Sequence, residues 1–301
     1  MKNRRDSLGD RMKGYEYITR NYLTKKLPVI IRLDGKAFHS FTKGMKRPFD
    51  NILIETMQET AKKLCENIQG CKIAYTQSDE ITLLLTDYEN IDTQGWFEYN
   101  IQKMCSISSS MATLYFNTIY KENVKKYLKE RFVNNIEKEL TDEEYEKEFD
   151  IECLYTNKFD KAMFDSRVFT LPKEEVNNCF IWRQQDATRN SIQMVGQANF
   201  SHKDLQNKSC NIIQDMLFTQ KGINWNNYET YLKRGSCVIK ESYDKQGIKR
   251  SRWIIDKNIP IFSEDKDYIN KFVYCNKEWY YELEFNKSKF EEIINNAVLV
   301  E

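Results

Sequence analysis

The stretch Val29-Ile30-Ile31-Arg32-Leu33-Asp34-Gly35 is a short apolar run that ends in an acid and a glycine. A run of this length, rich in β-branched residues and closed by a turn dipeptide, predicts a buried strand. Two further apolar runs, Ile73 to Tyr75 and Ile81 to Leu85, flank the acidic pair Asp79-Glu80. These two runs are too close together for a crossover connection, so they predict a hairpin with Ser78, Asp79 and Glu80 near its tip.

Helical patterns separate and follow these strands. Asp50 is the predicted N-cap of a helix that Gly70 ends, and a second helix is predicted from about Trp96 to Asn117. The predicted core residues of the second helix are Trp96, Met104, Ile107, Met111, Leu114 and Tyr115. A further strand near Arg167 to Thr170 completes a βαββαβ order. The predicted fold class is therefore α+β, with a ferredoxin-like sheet and helical insertions.

Three later segments complete the predicted organisation. Residues 121–152 are dense in Lys, Glu and Asp, which favours a solvated helical excursion over a binding surface. Helices are predicted again over about 174–195 and 201–217. Residues 241–301 have the composition of a mixed appendage of unknown role rather than a separate domain.

Composition sets limits on the class of protein. The 301 residues are 41% hydrophobic and 13% aromatic, enough for a substantial core, while 46 basic and 45 acidic residues nearly cancel. This charge balance neither indicates nor excludes nucleic acid. The N-terminus lacks the apolar region of a signal peptide, and no run approaches the roughly 20 apolar residues of a membrane span, so we expect a cytoplasmic protein without a membrane partner. Eight cysteines without a C-x-x-C pair, and two histidines, indicate neither a zinc site nor a disulfide framework.

The two acidic turns predict a metal site. Carboxylates at the ends of buried strands are costly unless they are neutralised, and the predicted topology brings Asp34 and Asp79 to one rim. Magnesium prefers oxygen ligands, and Gly35, which has no Cβ, lets its carbonyl or a phosphate approach the ion. Two Mg²⁺ ions about 4 Å apart support an in-line phosphoryl transfer, so nucleotidyl transfer is the predicted reaction class. Glu80 is either a third ligand or an exposed hairpin residue.

Cationic and aromatic residues follow the first acidic turn. The cations are Lys36, His39, Lys43, Lys46 and Arg47. They suit a triphosphate, although a solvated loop accounts for them equally well. Phe38 and Phe41 are more typical of core aromatics than of a base-stacking platform. Lys103, taken alone, is typical of an ordinary helix surface.

Several ordered blocks resemble one known family. They are Arg32 to Phe41, Ala74 to Glu80, Phe164 to Arg167 and Trp182 to Asp186, followed by Lys233 to Ser236. Together they resemble the histidine-tRNA guanylyltransferase family and its tRNA-repair relatives, over roughly residues 10–240. Several blocks in the family's order are far more specific than any one of them.

The resemblance implies a polymerase-palm catalytic domain over residues 1–240 and a chemistry that extends RNA in the 3′-to-5′ direction. In this chemistry the 5′ phosphate of tRNA is activated, by adenylation or as a triphosphate, and the 3′ hydroxyl of a nucleoside triphosphate attacks it. Two Mg²⁺ ions, and ATP and GTP or other nucleoside triphosphates as substrates, are implied. The implied partners are tRNA and three further copies of the chain, in a homotetramer.

The functional residues of this family can be assigned to the matching positions of the chain. By resemblance, Asp34 and Asp79 are metal carboxylates, Gly35 is a backbone metal ligand and Glu80 is an assisting catalytic acid. The residues expected to bind nucleotide are Lys36, Ala37, Phe38, His39, Arg47, Ser78 and Lys103. The residues expected to contact RNA are Arg183, Thr188, Arg189 and Asn190.

One departure bears on the substrate. Where guanylyltransferases of eukaryotes carry His-Ile-Asn-Asn, a motif associated with reading the histidine anticodon, this chain has Thr188-Arg189-Asn190-Ser191. The change favours template-dependent repair of 5′-truncated tRNA over the addition of a single guanylate to histidine tRNA. More distant alternatives are a nucleotide cyclase and a non-catalytic tRNA-binding module that uses basic stretches such as Lys121 to Arg131.

Overall fold

The computed structural model describes residues 7–135, 141–246 and 248–274. Within them, one six-stranded sheet has the order β4-β1-β3-β2-β5-β6, and each neighbouring pair is antiparallel. The strands are β1 Val29–Gly35, β2 Cys71–Gln77, β3 Glu80–Leu85, β4 Phe164–Thr170, β5 Ser236–Lys245 and β6 Ile248–Asp256.

Helices cover both faces of the sheet. They are α1 Ser7–Ile18, α2 Phe38–Phe41, α3 Asn51–Asn67, α4 Ile101–Asn135, α5 Asp142–Thr156, α6 Lys173–Asn199, α7 His202–Leu205, α8 Cys210–Lys221, α9 Thr230–Arg234 and α10 Asp267–Val273. Short 3₁₀ turns occupy Trp96–Tyr99 and Trp225–Asn227. No helix in the described part of the chain has both the length and the apolar composition to cross a membrane.

The first four strands form the predicted ferredoxin-like unit. Their chain order with the two long helices is β1-α3-β2-β3-α4-β4, and their spatial order is β4-β1-β3-β2. Alternate residues of a strand point to opposite faces. Ile31 and Leu33 accordingly join the core with α3 and α4, whereas Ile30 joins a second core with Val176 and Phe180 of α6. The predicted α+β fold class is confirmed.

Helix α3 begins where the sequence predicts but ends earlier. The Asp50 carboxylate accepts the Leu53 N–H at 3.1 Å and caps the helix, as predicted. The prediction of Gly70 as the end of the helix is wrong, because the C-cap is Ile68. Gly70 instead has φ +80° in the turn before β2, where a Cβ would lie 2.9 Å from the Thr86 carbonyl oxygen.

Helix α4 is longer than predicted and buries a different face. It continues to Asn135, and the residues that it buries recur every four positions: Met104, Ser108, Ala112, Phe116, Tyr120 and Val124. The prediction of Ile107 and Leu114 as core residues is wrong, because their side chains are 40% and 63% exposed. Contacts of α4 with α3 and β4 set this face.

The charged segment is helical where it is described. Its first part continues α4, and its second part is α5. Thr141 and Glu144 form a capping box at the N-terminus of α5, in which the side chain of each accepts the backbone N–H of the other. Arg131 Nε donates to Glu148 Oε2 at 2.8 Å and joins the two helices.

Two strands extend the sheet beyond β2. β5 pairs with β2 from Ser236 to Ile239, and β6 pairs with β5. Residue 240 lies inside β5, so the sheet is continuous across the predicted start of the appendage. Phe262, Ile269 and Val273 then complete the core against α6. The remainder of the predicted appendage, from residue 275, lies outside the described residues.

Candidate active site

Three acids meet at one end of the central strands. Asp34 lies near the end of β1 directly opposite Glu80, the first residue of β3, and Asp79 lies in the turn before Glu80. The Gly35 N–H donates to the Asp79 carbonyl oxygen at 3.1 Å and joins the end of β1 to this turn. The sheet therefore brings Asp34 and Asp79 together, as the predicted topology requires.

The electrostatics of this rim suit a divalent cation. Burial raises the pKa of Asp79, and the negative charge of Asp34 raises it further. Among the ion pairs of the described residues, none involves Asp34 or Asp79. Two neighbouring carboxylates that form no ion pair within the described residues, beside the Gly35 backbone, fit magnesium.

The described residues contain no cluster of three or more His, Cys, Asp or Glu side chains suited to a metal. Magnesium commonly binds through one or two carboxylates and completes its shell with waters and substrate phosphates. A pair of carboxylates therefore matches this ion better than zinc, which takes three or four protein ligands.

Glu80 is neutralised by an arginine from another element. Its carboxylate oxygen Oε1 lies 2.6 Å from Nε of Arg183, and both residues are more than nine-tenths buried. Burial raises the pKa of Glu80, and the charge of Arg183 opposes that shift. Glu80 is therefore not an exposed hairpin residue, so that alternative is wrong. The Arg183 guanidinium is also buried, whereas the expected contact with RNA would require it at the surface.

Gly35 has a packing role beneath the rim. A Cβ at this position would lie 2.3 Å from the Phe38 ring. That ring is buried and contacts the rings of Phe41, Phe116 and Phe164 at centroid distances of 5.0, 5.4 and 5.2 Å. The core assignment of the two phenylalanines that follow Gly35 is confirmed, and the Phe38 ring does not form a base-stacking surface.

A cleft of about 530 Å³ opens beside Asp79. This volume lies within the range of small-molecule sites. Its lining includes Gly35, Asp79 and five of the residues predicted to bind nucleotide, namely Ala37, Phe38, His39, Arg47 and Ser78. Lys43 and Lys46 add two cations to the same wall. The left-handed conformations of Ala37 (φ +54°) and Ser78 (φ +49°) turn the chain at the two sides of this wall.

The other predicted nucleotide ligands lie elsewhere. Lys36 is exposed, and its N–H donates to the Met163 carbonyl at 2.9 Å; Lys103 is exposed in the first turn of α4. Neither residue lines the cleft. Sequence reasoning missed Met194 and Gln197, which line it from α6. No motif marks them, because their place depends on how α6 crosses the sheet.

The segment that departs from the histidine-reading motif is partly committed to internal contacts. Thr188 Oγ1 donates to the Gln184 carbonyl at 3.0 Å. Ser191 is buried, where it donates to the Leu232 carbonyl and accepts from the Trp225 indole. Arg189 is exposed, while Asn190 is half-buried.

Comparison with known proteins gives consistent matches. The family model described as "Thg1: tRNAHis guanylyltransferase" matches residues 9–172. The tRNA(His) guanylyltransferase of Debaryomyces hansenii is 26% identical over 77% of this chain and 83% of its own length. The uncharacterized protein R259 of Acanthamoeba polyphaga mimivirus is 25% identical over 93% of this chain and 92% of its own.

Solved structures agree with these matches. A bacterial tRNA(His) guanylyltransferase (Thg1)-like protein in complex with ATP has a TM-score of 0.75 and 45% identity, covering 90% of this chain and 100% of its own. Its counterpart in complex with GTP has a TM-score of 0.69 and 43% identity over the same shares. The Saccharomyces cerevisiae tRNA(His) guanylyltransferase, at 19% identity over 84% of this chain and 98% of its own, has a TM-score of 0.57 and matches in fold.

Proposed function

The chain belongs to the tRNA(His) guanylyltransferase family and is a nucleotidyltransferase, and from this premise we propose that it repairs tRNA by magnesium-dependent, template-dependent 3′-to-5′ addition of nucleotides to the 5′ end. The observation that carries the proposal is the cleft that is lined by Asp79 and by Lys43, Lys46 and Arg47, with Asp34 next to Asp79 at the end of β1. Acids for metal and cations for phosphate at one cleft are the requirements of phosphoryl transfer.

Each group at the cleft has a role in this reaction. Asp34, Asp79 and the Gly35 carbonyl would hold the two Mg²⁺ ions, which neutralise phosphate charge and make the attacking hydroxyl more acidic. The side chains of Lys43, Lys46 and Arg47 would bind the triphosphate of the incoming nucleotide.

The 3′ hydroxyl of that nucleotide attacks the activated 5′ phosphate of the tRNA. A new phosphate–oxygen bond forms as the bond to the leaving group breaks. Pyrophosphate leaves from a 5′ triphosphate, and AMP leaves from an adenylated end. ATP- and GTP-bound relatives support nucleoside triphosphates as substrates.

The segment from Thr188 to Ser191 supports repair over guanylate addition. A histidine is missing from it, and the hydroxyls of Thr188 and Ser191 are engaged inside the protein. The second candidate function is the addition of one guanylate to histidine tRNA, which the family description favours. We expect a homotetramer acting in the cytoplasm in either case.

The decisive experiment supplies a 5′-truncated tRNA with four nucleoside triphosphates and MgCl₂ and resolves the products on a sequencing gel. We expect extension complementary to the opposite strand, and loss of extension in Asp79→Asn. Asp160→Asn is the matched control, because Asp160 is an exposed acid that pairs with Lys121 away from the cleft.

Two outcomes would contradict the proposal. One is no extension by the wild-type protein, and the other is undiminished extension by Asp79→Asn. If intact histidine tRNA gains one guanylate more efficiently than truncated tRNA is filled, the second candidate function is correct. Consumption of nucleotide without RNA would indicate a cyclase instead.

A further inference from the structure

The rim holds three acids, but one of them is withdrawn from it. Glu80 follows Asp79 directly and pairs with Asp34 in the register of the sheet, so its backbone belongs to the rim. Its side chain instead reaches Arg183, 103 positions later in the chain, with 2.6 Å between Oε1 and Nε. The charge that remains available at the rim is therefore that of Asp34 and Asp79.

Arg183 is itself held from two further sides. Its Nη2 atom lies 2.7 Å from Oδ2 of Asp186, and its guanidinium carbon lies 4.2 Å from the centre of the Trp182 ring. The planar fork of an arginine can contact two carboxylates at once, which a lysine cannot do in the same geometry. Arg183 is thus a partner of Glu80 whose position is fixed by Asp186 and Trp182.

The position of Glu80 makes this pair relevant to the metal site. The Glu80 carbonyl accepts a hydrogen bond from the Thr76 hydroxyl at 3.0 Å, and its side chain is anchored on α6. Asp79 lies one residue before this anchored residue, and its own carbonyl is held by the Gly35 N–H at 3.1 Å. The turn that carries the Asp79 carboxylate is therefore fixed on both sides.

We propose that Glu80 and Arg183 form a positioning pair, which keeps Glu80 out of the metal shell and fixes the turn that presents Asp79 to the metal. The metal is the one in the proposed function, and the inference rests on that function for the identity of the ion. In this role, Glu80 contributes to metal binding through its contact with Arg183 on α6. A residue that ligated the metal directly would contribute through its negative charge.

The test measures Mn²⁺ binding by electron paramagnetic resonance, with ATP present and RNA absent, and the thermal unfolding midpoint of each variant. Glu80→Gln leaves the buried Arg183 with Asp186 as its remaining ion-pair partner, and Arg183→Gln leaves the buried Glu80 without its ion pair. We expect each change to weaken Mn²⁺ binding by about 10-fold to 100-fold, the usual effect of losing a supporting contact. The double variant places two amides face to face without charge. We expect it to bind Mn²⁺ within about threefold of wild type, since an amide pair can restore the hydrogen bond.

Two further variants complete the design. Arg183→Lys keeps the charge but loses the fork, so its Mn²⁺ affinity should lie between those of wild type and Arg183→Gln. Arg131→Gln is the control for loss of an arginine–glutamate pair elsewhere, because Arg131 forms a half-buried pair with Glu148 between α4 and α5 and does not line the cleft. It should bind Mn²⁺ as the wild type does.

Opposite results would overturn the inference. A folded double variant that binds Mn²⁺ as weakly as Glu80→Gln would identify Glu80 as a ligand, and wild-type affinity in Arg183→Gln would exclude a positioning role. If the single glutamine variants do not fold, the double variant and Arg183→Lys decide the question. Absence of Mn²⁺ binding to the wild type would also overturn it. Normal Mn²⁺ results with failed tRNA extension would refute only the proposed function.

Discussion

Replacement of Gly35 by alanine tests the packing beneath the acid rim. The added Cβ would lie 2.3, 2.6 and 2.7 Å from three carbons of the Phe38 ring, whereas ordinary contacts begin at 3.4 Å. The ring cannot withdraw freely, because Phe41, Phe164 and Phe116 surround it with centroid distances of 5.0 to 5.4 Å. We therefore expect Gly35→Ala to destabilise the fold.

The magnitude follows from two opposing effects. Forcing one extra carbon into a filled core costs about 1–3 kcal/mol. Alanine in a strand recovers about 0.5–1 kcal/mol relative to glycine, because it restricts the unfolded chain. Because a 2.3 Å approach is far below ordinary contact, the cost lies in the upper half of its range, about 2–3 kcal/mol, and the expected net loss in the free energy of unfolding is about 1–2.5 kcal/mol.

Urea unfolding in metal-free buffer, followed by circular dichroism, measures this loss. Gly14→Ala is the matched control, because a Cβ at Gly14 in α1 meets no atom within 4 Å. That variant should gain up to about 1 kcal/mol, the helix propensity difference between the two residues. Adding Phe38→Leu to Gly35→Ala should recover part of the loss, because the smaller leucine side chain replaces the ring that clashes with the added Cβ. If Gly35→Ala is as stable as the wild type, the packing described here is wrong.

Two further predictions concern carboxylates. Asp79→Asn should raise the free energy of unfolding in metal-free buffer at neutral pH, because burial and Asp34 raise the pKa of Asp79 and so disfavour its ionised form in the fold. The gain should be complete above the raised pKa of Asp79 and vanish below the unfolded-state value of about 3.9. Urea unfolding of wild type and variant at neutral pH and at a pH below that value measures it, and equal stabilities near neutral pH would contradict the prediction. Asp50→Ala should cost about 1.5–3 kcal/mol in urea unfolding, since the buried carboxylate accepts two backbone N–H groups and the Tyr155 hydroxyl at 2.6 Å. The exposed cap variant Ser209→Ala, which loses one hydrogen bond, should cost about 1 kcal/mol, and equal losses in the two variants would refute the role of burial.

Local patterns were sufficient for the elements that bear the acids. The β-branched run before Asp34, the two-residue turn before Glu80 and the Asp50 cap each depend on residues adjacent in the chain. A strand, a tight turn and a helix cap are short-range structures, so composition and spacing predict them well. The ferredoxin-like order followed from their succession.

Long-range contacts account for the errors. In α4, several apolar stripes are compatible with a helical period, and packing against α3 and β4 selected the stripe through Phe116 and Tyr120 over the one through Ile107 and Leu114. Gly70 does not end α3 but lies in the turn before β2, where its carbonyl accepts the N–H of Thr86, the residue after β3, at 3.0 Å.

The sequence by itself determined that acids end the central strands of an α+β sheet, because apolar runs and turn residues act locally. Only the tertiary structure decided which acid is paired. Glu80 and Arg183 are 103 positions apart, and no spacing rule links them; burial of both side chains makes each require the other's charge. Burial, which depends on the whole fold, therefore separates Glu80 from Asp34 and Asp79 and leaves the latter two for the proposed metal.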